Sequence, residues 1–326
     1  MTEREQLRCE LRHYLSAYEY LLVNIGILVT LYVTYIFCKL IFLHFLPRSV
    51  PSIRRKYGEW ALITGGNSGI GRSYAFLLAE KGTDVIITGR DGESLRKTAE
   101  EIESKYGVRC RYVSANFTEE GEFRKVAFEL KDKDVGILVH NAGTLGNLPR
   151  LFLEETEENV LTMINIYLTM AVRATYLVLP SMLSKRKGAI IFLTSFSSLV
   201  PTPGMNTYSA CKGFWDQLAR SISVEYSSLG LHIQSLSPFY VKSVSKSIRV
   251  GNIDGVILTA DDFARKAIGT LGISDYTSGY FLHDIFKCVL LLCGDSVWKW
   301  FMLNQVTKKR KRDLRNSNEW KELKVE

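Results

Sequence analysis

The chain has little that points to metal or disulfide chemistry. Its six cysteines are scattered at 9, 38, 110, 211, 288 and 293, and no two form a C-x-x-C pair. The five histidines form no cluster, and none stands at ligand spacing from a cysteine, so no metal is expected. Scattered thiols in a chain of this length read as reduced and mostly buried, which favours a cytosol-facing compartment. There is no internal repeat. Charged residues make up 23% and apolar residues 46%, which excludes a disordered chain and supplies a sizeable core. The net charge of +8 is partly local, because Lys308, Lys309, Arg310, Lys311 and Arg312 are consecutive. No aromatic residues interleave with this run, so nucleic-acid binding is not expected. The run reads as a solvated tail, a contact to anionic headgroups or a nuclear address.

The first positive feature is apolar. Tyr20 to Cys38 carries no charge over 19 residues, and after Lys39 the apolar character resumes to Leu46. About 20 such residues span a bilayer as a helix. The stretch is long for a signal peptide and no A-x-A site follows, so residues 20–46 are expected to be a transmembrane anchor behind a segment 1–19. Tyr14, Tyr18, Tyr20 and Tyr35 suit interfacial belts. Arg4, Arg8 and Arg12 precede the span, whereas Lys39, Arg48, Arg54, Arg55 and Lys56 end or follow it. That excess places the bulk of the chain in the cytoplasm, where the sequon at Asn116 stays unmodified.

From Trp60 onward strands alternate with helices. Strands are expected at 60–64, 84–88, 111–115, 135–140, 189–194 and 232–237. Helices are expected at 72–81, 94–106, 157–183 and 208–228. This alternation predicts an α/β fold with a doubly wound parallel sheet, over a domain spanning 57–278.

Between the first strand and the first helix stands Thr64-Gly65-Gly66-Asn67-Ser68-Gly69-Ile70-Gly71. A pyrophosphate must approach backbone N–H groups at a helix N-terminus, and glycine allows the approach. Gly65 makes the turn, Gly69 clears the cofactor, and Gly71 lets the helix pack on the strand; Asn67, Ser68 and Ile70 are cofactor contacts. An NAD enzyme places a carboxylate at the end of the second strand, about 20 residues on. Here Gly89 is followed by Arg90, which suits the 2′-phosphate of NADP(H), although Asp91 is adjacent. Alternatively, Arg90 merely caps a strand.

Tyr208-Ser209-Ala210-Cys211-Lys212 places Tyr208 and Lys212 at i, i+4, on one helical face. A free tyrosine has a pKa of about 10, and an ammonium beside it favours the phenolate. Ser195 ends the preceding strand, 13 residues before Tyr208, and can hydrogen-bond a carbonyl oxygen.

Together, the glycine loop, Asn141-Ala142-Gly143, Ser195, Tyr208 and Lys212 resemble the short-chain dehydrogenase/reductase family over roughly residues 60–243. The resemblance implies a Rossmann-like fold and hydride transfer between nicotinamide and a carbonyl or alcohol. It makes Tyr208 the acid/base, Lys212 its modulator and a ribose ligand, and Ser195 the group that polarises the carbonyl. Tyr208 and Lys212 also count as cofactor contacts. Asn141, Ala142 and Gly143 would line the cofactor groove, Asn116 would reach adenine where the family often has Asp, and Ser243 would contact the carboxamide. His140 stands where Asn is common. The family usually carries a catalytic Asn 13 residues before the proline of the fourth helix. Counting back from Pro180 gives Tyr167, with Asn165 two residues away. That Asn positions a water linking the lysine to solvent, so the departure bears on proton relay rather than on cofactor binding. Another group or a shifted water is the alternative.

The anchor and the stretches 43–48, 131–139, 237–241 and 270–274 look like the membrane-bound 17β-hydroxysteroid dehydrogenase and very-long-chain 3-oxoacyl-CoA reductase branch. The branch implies a lipophilic substrate, either a steroid or a long-chain 3-oxoacyl-CoA. It also implies the endoplasmic reticulum membrane, with the mitochondrion as the alternative. Vertebrate members of one subgroup lack the catalytic tyrosine and are regarded as inactive, but this chain has Tyr208. The functional expectation is an NADP(H)-dependent oxidoreductase; the alternative is an inactive cofactor-binding regulator. The family often forms homodimers. Residues 246–258 read as a lid. In 279–326, His283, Asp284, Lys287, Asp295 and Lys299 interrupt an apolar stretch. An interfacial helix or hairpin with a basic tail is expected there, and a core helix over the cleft is the alternative.

Overall fold

Trp60-Ala61-Leu62-Ile63 has no polar side chain, so a strand built from it must be covered on both faces. The computed structural model describes residues 3–46, 52–119, 121–145, 148–242 and 255–316, with the side chains of 3–11, 293 and 313–316 left aside. The chain divides into two compact units, Met1–Pro47 and Arg48–Glu326.

The first unit is one helix, α1 (Glu3–Phe45). Its 43 residues make a rod of about 65 Å, against roughly 30 Å for a hydrocarbon core. Arg12–Phe45 is long and apolar enough to cross a membrane.

The second unit opens with α2 (Ile53–Tyr57). It continues with β1 (Trp60–Thr64), α3 (Gly69–Glu80), β2 (Asp84–Gly89), α4 (Gly92–Tyr106), β3 (Cys110–Ser114), α5 (Phe123–Leu130) and β4 (Val135–His140). Then come α6 (Glu157–Ile164), α7 (Met170–Lys185), β5 (Gly188–Leu193), α8 (Asn206–Tyr226), β6 (Leu231–Leu236), β7 (Val241–Lys242) and β8 (Leu258–Thr259). The chain closes with α9 (Ala260–Ile268), β9 (Tyr276–Thr277), α10 (Phe281–Cys293) and α11 (Ser296–Asn316). A seven-stranded parallel sheet runs in the order β3-β2-β1-β4-β5-β6-β9. This is a Rossmann-like doubly wound sheet, as expected. Alternate strand residues feed opposite cores. Trp60 and Leu62 join the core of Phe192 and Trp215, while Ala61 and Ile63 join that of Tyr74 and Phe263.

Strand and helix ends fall within a few residues of the periodicity. One element differs in kind. The helical pattern over 157–183 is interrupted by a π-helical turn at Asn165–Thr169, between α6 and α7. That run is also apolar enough to cross a membrane, but Met163, Ala171, Ala174, Val178 and Met182 are core residues.

The C-terminal expectation needs correction only for the basic run. The segment is a pair of helices, and α11 buries Met302 and Val306 against the domain. The basic run lies within α11 rather than in a tail, and Arg310 pairs with Glu154 at 2.9 Å. The core-helix alternative therefore describes this face of α11. Most of the expected lid, residues 246–254, lies outside the described residues. Its last residue, Leu258, lies in β8, which pairs with β7.

Asp84 ties the start of β2 to its surroundings. Its carboxylate accepts from Arg109 N (2.9 Å), Arg109 Nη2 (2.7 Å) and Arg54 Nη1 (3.0 Å). Burial pushes this carboxyl up, but the hydrogen bonds from Arg109 and Arg54 outweigh it and hold the group below the usual range. The folded-state pKa is depressed, so the stabilisation is present above the unfolded value of about 3.9 and is lost as pH falls through the folded value. Asp84→Asn should cost about 1–3 kcal/mol at neutral pH. In denaturation at pH 7 and at successively lower pH, the gap to wild type should close below about pH 4.

Candidate functional site

The strand order reverses between β1 and β4, and ligands of open parallel sheets bind beside the carboxyl ends at such a point. A cavity of about 700 Å³ lies there. The loops that follow β1, β2, β4, β5 and β6 all supply its walls.

Gly65 turns the chain at φ +67°, and its N–H donates to Thr88 O at 2.7 Å. A Cβ on Gly71 would lie 2.2 Å from Asn141 Nδ2 and 2.3 Å from Gly65 O, so only glycine lets α3 start this close. Asn141 braces the loop, because its amide donates to Thr64 O (3.0 Å) and Gly65 O (2.9 Å). Thr64 Oγ1 in turn accepts from Asn141 N and Ala142 N. Ser68 precedes α3 without a side-chain cap, and no acidic residue occupies the first turn. The first-turn N–H groups therefore lack a capping side chain, which is the arrangement an anion needs.

Gly65, Asn67, Ser68, Gly69, Ile70, Arg90, Asn141, Ala142 and Gly143 line the cavity together with Ser195, Tyr208 and Lys212. Two predicted contacts do not. Gly71 sits behind the loop as a packing residue. Asn116 is engaged in its own turn, donating to Glu119 Oε1 (2.6 Å) and accepting from Thr118 Oγ1 (2.9 Å), while its neighbour Phe117 lines the cavity. Ser243 lies outside the described residues. Arg90 is exposed at the rim, and Asp91 is occupied as the cap of α4, accepting from Ser94 N at 3.0 Å.

Sequence reasoning missed the aromatic wall. Phe196, Phe239, Tyr240 and Trp298 line the cavity, with Phe196 and Trp298 ring centroids 5.4 Å apart. Phe239 follows a recognisable Ser-Pro pair, but Trp298 comes from α11 and no short-range pattern announces it.

Tyr208 and Lys212 project from α8. Lys212 is buried, with Nζ 2.5 Å from Leu193 O and 3.9, 4.8 and 5.8 Å from the ring centroids of Trp215, Tyr167 and Tyr208. Burial lowers its pKa to about 7. Tyr208 is raised to about 12 by burial, and the hydrogen bond with Ser195 pulls the other way. The expectation that the lysine charge lowers the tyrosine pKa is therefore not met in this form. Lys212 spends its proton on a carbonyl and aromatic faces, and its own charge is weakened by burial. Ser195 Oγ also accepts from Ser197 Oγ at 2.9 Å.

Tyr167 lies on the π-helical turn, its ring 5.8 Å from that of Tyr208 and its hydroxyl donating to Thr144 O at 2.9 Å. Trp215 Nε1 donates to Tyr167 O, so an indole takes this carbonyl. Gly143 has no room for a side chain, since a Cβ would meet Tyr167 Oη at 2.3 Å. Asn165 does not line the cavity and only approaches Thr169 Oγ1 at 3.5 Å. His140 is fully buried, with Nε2 2.9 Å from Thr175 Oγ1. Burial and the nearby Lys212 drive its pKa down to about 3, so it is neutral.

Comparison with known proteins agrees with this geometry. The short chain dehydrogenase family matches residues 59–249. The chain belongs to the short-chain dehydrogenase/reductase family. Within it, the chain is 36% identical over 268 residues to hydroxysteroid dehydrogenase-like protein 1 of Gallus gallus, covering 81% of each. It is 35% identical to inactive hydroxysteroid dehydrogenase-like protein 1 of Homo sapiens, covering 81% of this chain and 82% of that protein. It is 37% identical over 235 residues to very-long-chain 3-oxoacyl-CoA reductase of Macaca fascicularis, covering 72% and 75%. A solved short-chain dehydrogenase from Sphingobium yanoikuyae in complex with NADPH superposes with a TM-score of 0.59. It is 28% identical, over 64% of this chain and 82% of that one. The branch that the sequence resembles is thus among its relatives, both with and without the word inactive in their names.

Because the folded-state pKa of Lys212 lies below the unfolded value of about 10.4, the unfolded chain binds more protons between about pH 7 and pH 10. The penalty for burying this cation is therefore full below pH 7 and fades as pH rises. In chemical denaturation without ligand, Lys212→Met should gain stability relative to wild type as pH is lowered from 10 to 7. A pH-independent difference would mean that the ammonium is solvated.

Proposed function

We propose that this chain is an NADP(H)-dependent oxidoreductase that interconverts a carbonyl and an alcohol on a lipophilic substrate. The observation that carries this reading is that Ser195, Tyr208 and Lys212 wall the same cavity as the glycine loop. The uncapped start of α3 fits a pyrophosphate, and Arg90 at the rim fits a 2′-phosphate while Asp91 is held as a helix cap. Bound there, the nicotinamide would supply or accept the hydride. Tyr208, held as a neutral phenol by burial, gives its proton to the substrate oxygen in reduction and regains one in oxidation. Ser195 orients that oxygen by a hydrogen bond. Lys212, which lines the same cavity, would lie within reach of the nicotinamide ribose, and burial lowers its pKa to about 7. Phe196, Phe239 and Trp298 make the remaining wall apolar, which suits a steroid or a long acyl chain. With α1, the similarity to very-long-chain 3-oxoacyl-CoA reductase favours the endoplasmic reticulum membrane with the domain facing the cytosol, the mitochondrion being the alternative.

A second reading is favoured by one specific observation. The carbonyl of Tyr167 is bonded to Trp215, and by the count from Pro180 Tyr167 stands where the family carries Asn, which favours loss of the usual relay from lysine to solvent. On that reading the chain holds NADP(H) without turnover.

The deciding experiment is a carbonyl-reduction screen with NADPH over steroids and long-chain 3-oxoacyl-CoAs. Turnover should fall roughly 10²–10⁴-fold in Tyr208→Phe. No turnover in wild type, with cofactor bound, would favour the second reading. Arg90→Glu should weaken NADPH relative to NADH by roughly tenfold to a hundredfold, from about 1.5–3 kcal/mol for a charged hydrogen bond.

A further inference from the structure

The helix α10 is built the reverse of an ordinary surface helix. Its polar residues His283, Asp284 and Lys287 are all buried. Asp284 accepts from Ser278 N (2.9 Å) and Thr277 Oγ1 (2.7 Å) and pairs with Lys287 at 2.8 Å, while His283 Nε2 lies 2.8 Å from Val256 O. The apolar residues Phe286, Val289 and Leu292 point outward at i, i+3, i+6, with Leu292 75% exposed. The helix α11 continues the pattern, with Val297, Trp300 and Leu303 outward and Trp300 67% exposed. Water does not favour exposed apolar stripes of this kind on two successive helices.

Three observations identify what covers it. The exposed apolar stripe of α11 gives way, farther along the same helix, to exposed Lys308, Lys311 and Arg312, complementary to anionic headgroups. A tryptophan at the apolar end and cations beyond it is the side-chain order of a bilayer boundary. The face is also continuous with the cavity. Phe286 stacks on Phe239 at 5.6 Å and 7°, Phe239 lies 6.2 Å from Trp298, and both Phe239 and Trp298 line the cavity. The same chain carries α1, long and apolar enough to cross a bilayer.

We propose that the outward face of α10 and α11 rests in the headgroup boundary of a bilayer and admits lipophilic molecules from that leaflet to the cavity past Phe239 and Trp298. The admission step rests on the reading of the cavity as a site for a lipophilic carbonyl; the seating on the leaflet does not. An interfacial helix reads only on its outer face, so the core-facing and membrane-facing descriptions of this segment hold together.

The test uses the full chain in nanodiscs containing phosphatidylserine, with a fluorescent amino acid in place of Leu292, of Trp300, or of the exposed Phe128 on α5 as a control. Acyl chains carrying a nitroxide near the carbonyl are the quencher. Positions 292 and 300 should be quenched several-fold more than 128. The double variant Val289→Asp, Val297→Asp should lose that quenching at 292 and 300 while remaining in the disc through α1. Quenching at 292 and 300 no greater than at 128, in protein that is still disc-bound, overturns the proposal. In that case cross-linking between copies at 292 would assign the face to a second copy of the chain. Because the readout is fluorescence, it separates failure of this seating from failure of turnover in the cavity.

Discussion

A single brace sets the geometry on which the site depends. Thr64 and Asn141 stand at the carboxyl ends of β1 and β4, where the strand order reverses, and they bond to each other through side chain and backbone. Asn141 also holds Gly65 O, which fixes the turn before α3. The glycine loop and the loop after β4 are therefore tied into one wall of the cavity. Gly71 is glycine because that amide would otherwise collide with it, and Gly143 is glycine because Tyr167 stands against it. The open start of α3 follows from this tie across the crevice.

On the other wall the electrostatics are set by burial. Lys212 is covered by Trp215 and Tyr167 and directed at Leu193 O, and Tyr208 answers to Ser195 rather than to the lysine. Tyr167 is held by packing: a π-helical turn, an indole on its carbonyl, and its hydroxyl on Thr144 O. This arrangement packs Tyr167 against the wall of the cavity and satisfies both its carbonyl and its hydroxyl.

Much of this was legible in the sequence because it is local. The glycine loop, the i, i+4 pair of Tyr208 and Lys212, and the continuous apolar runs of β1 and β4 each declare themselves within a few residues. The count back from Pro180 reached Tyr167 along the chain, but the π turn on which it stands shifts the helical register and left no local signal. What the sequence hid is non-local. Trp298 reaches the cavity from α11, and nothing beside it in the chain indicates this. The charges of α10 suggested an interrupted apolar stretch, because hydropathy cannot tell that Asp284 and Lys287 pair with each other beneath the helix. The pKa of Tyr208 needed the burial and the direction of Lys212 Nζ, and spacing supplies neither.

The most direct measurement is equilibrium binding of NADPH to the full chain, followed by energy transfer from tryptophan to the reduced nicotinamide. Trp298 lines the cavity and Trp215 stands against Lys212, so both donors are close. The account predicts saturable binding that NADP⁺ displaces and that a bulky residue at Gly69 abolishes. Saturation absent in folded protein, or unchanged by Gly69→Val, would contradict it.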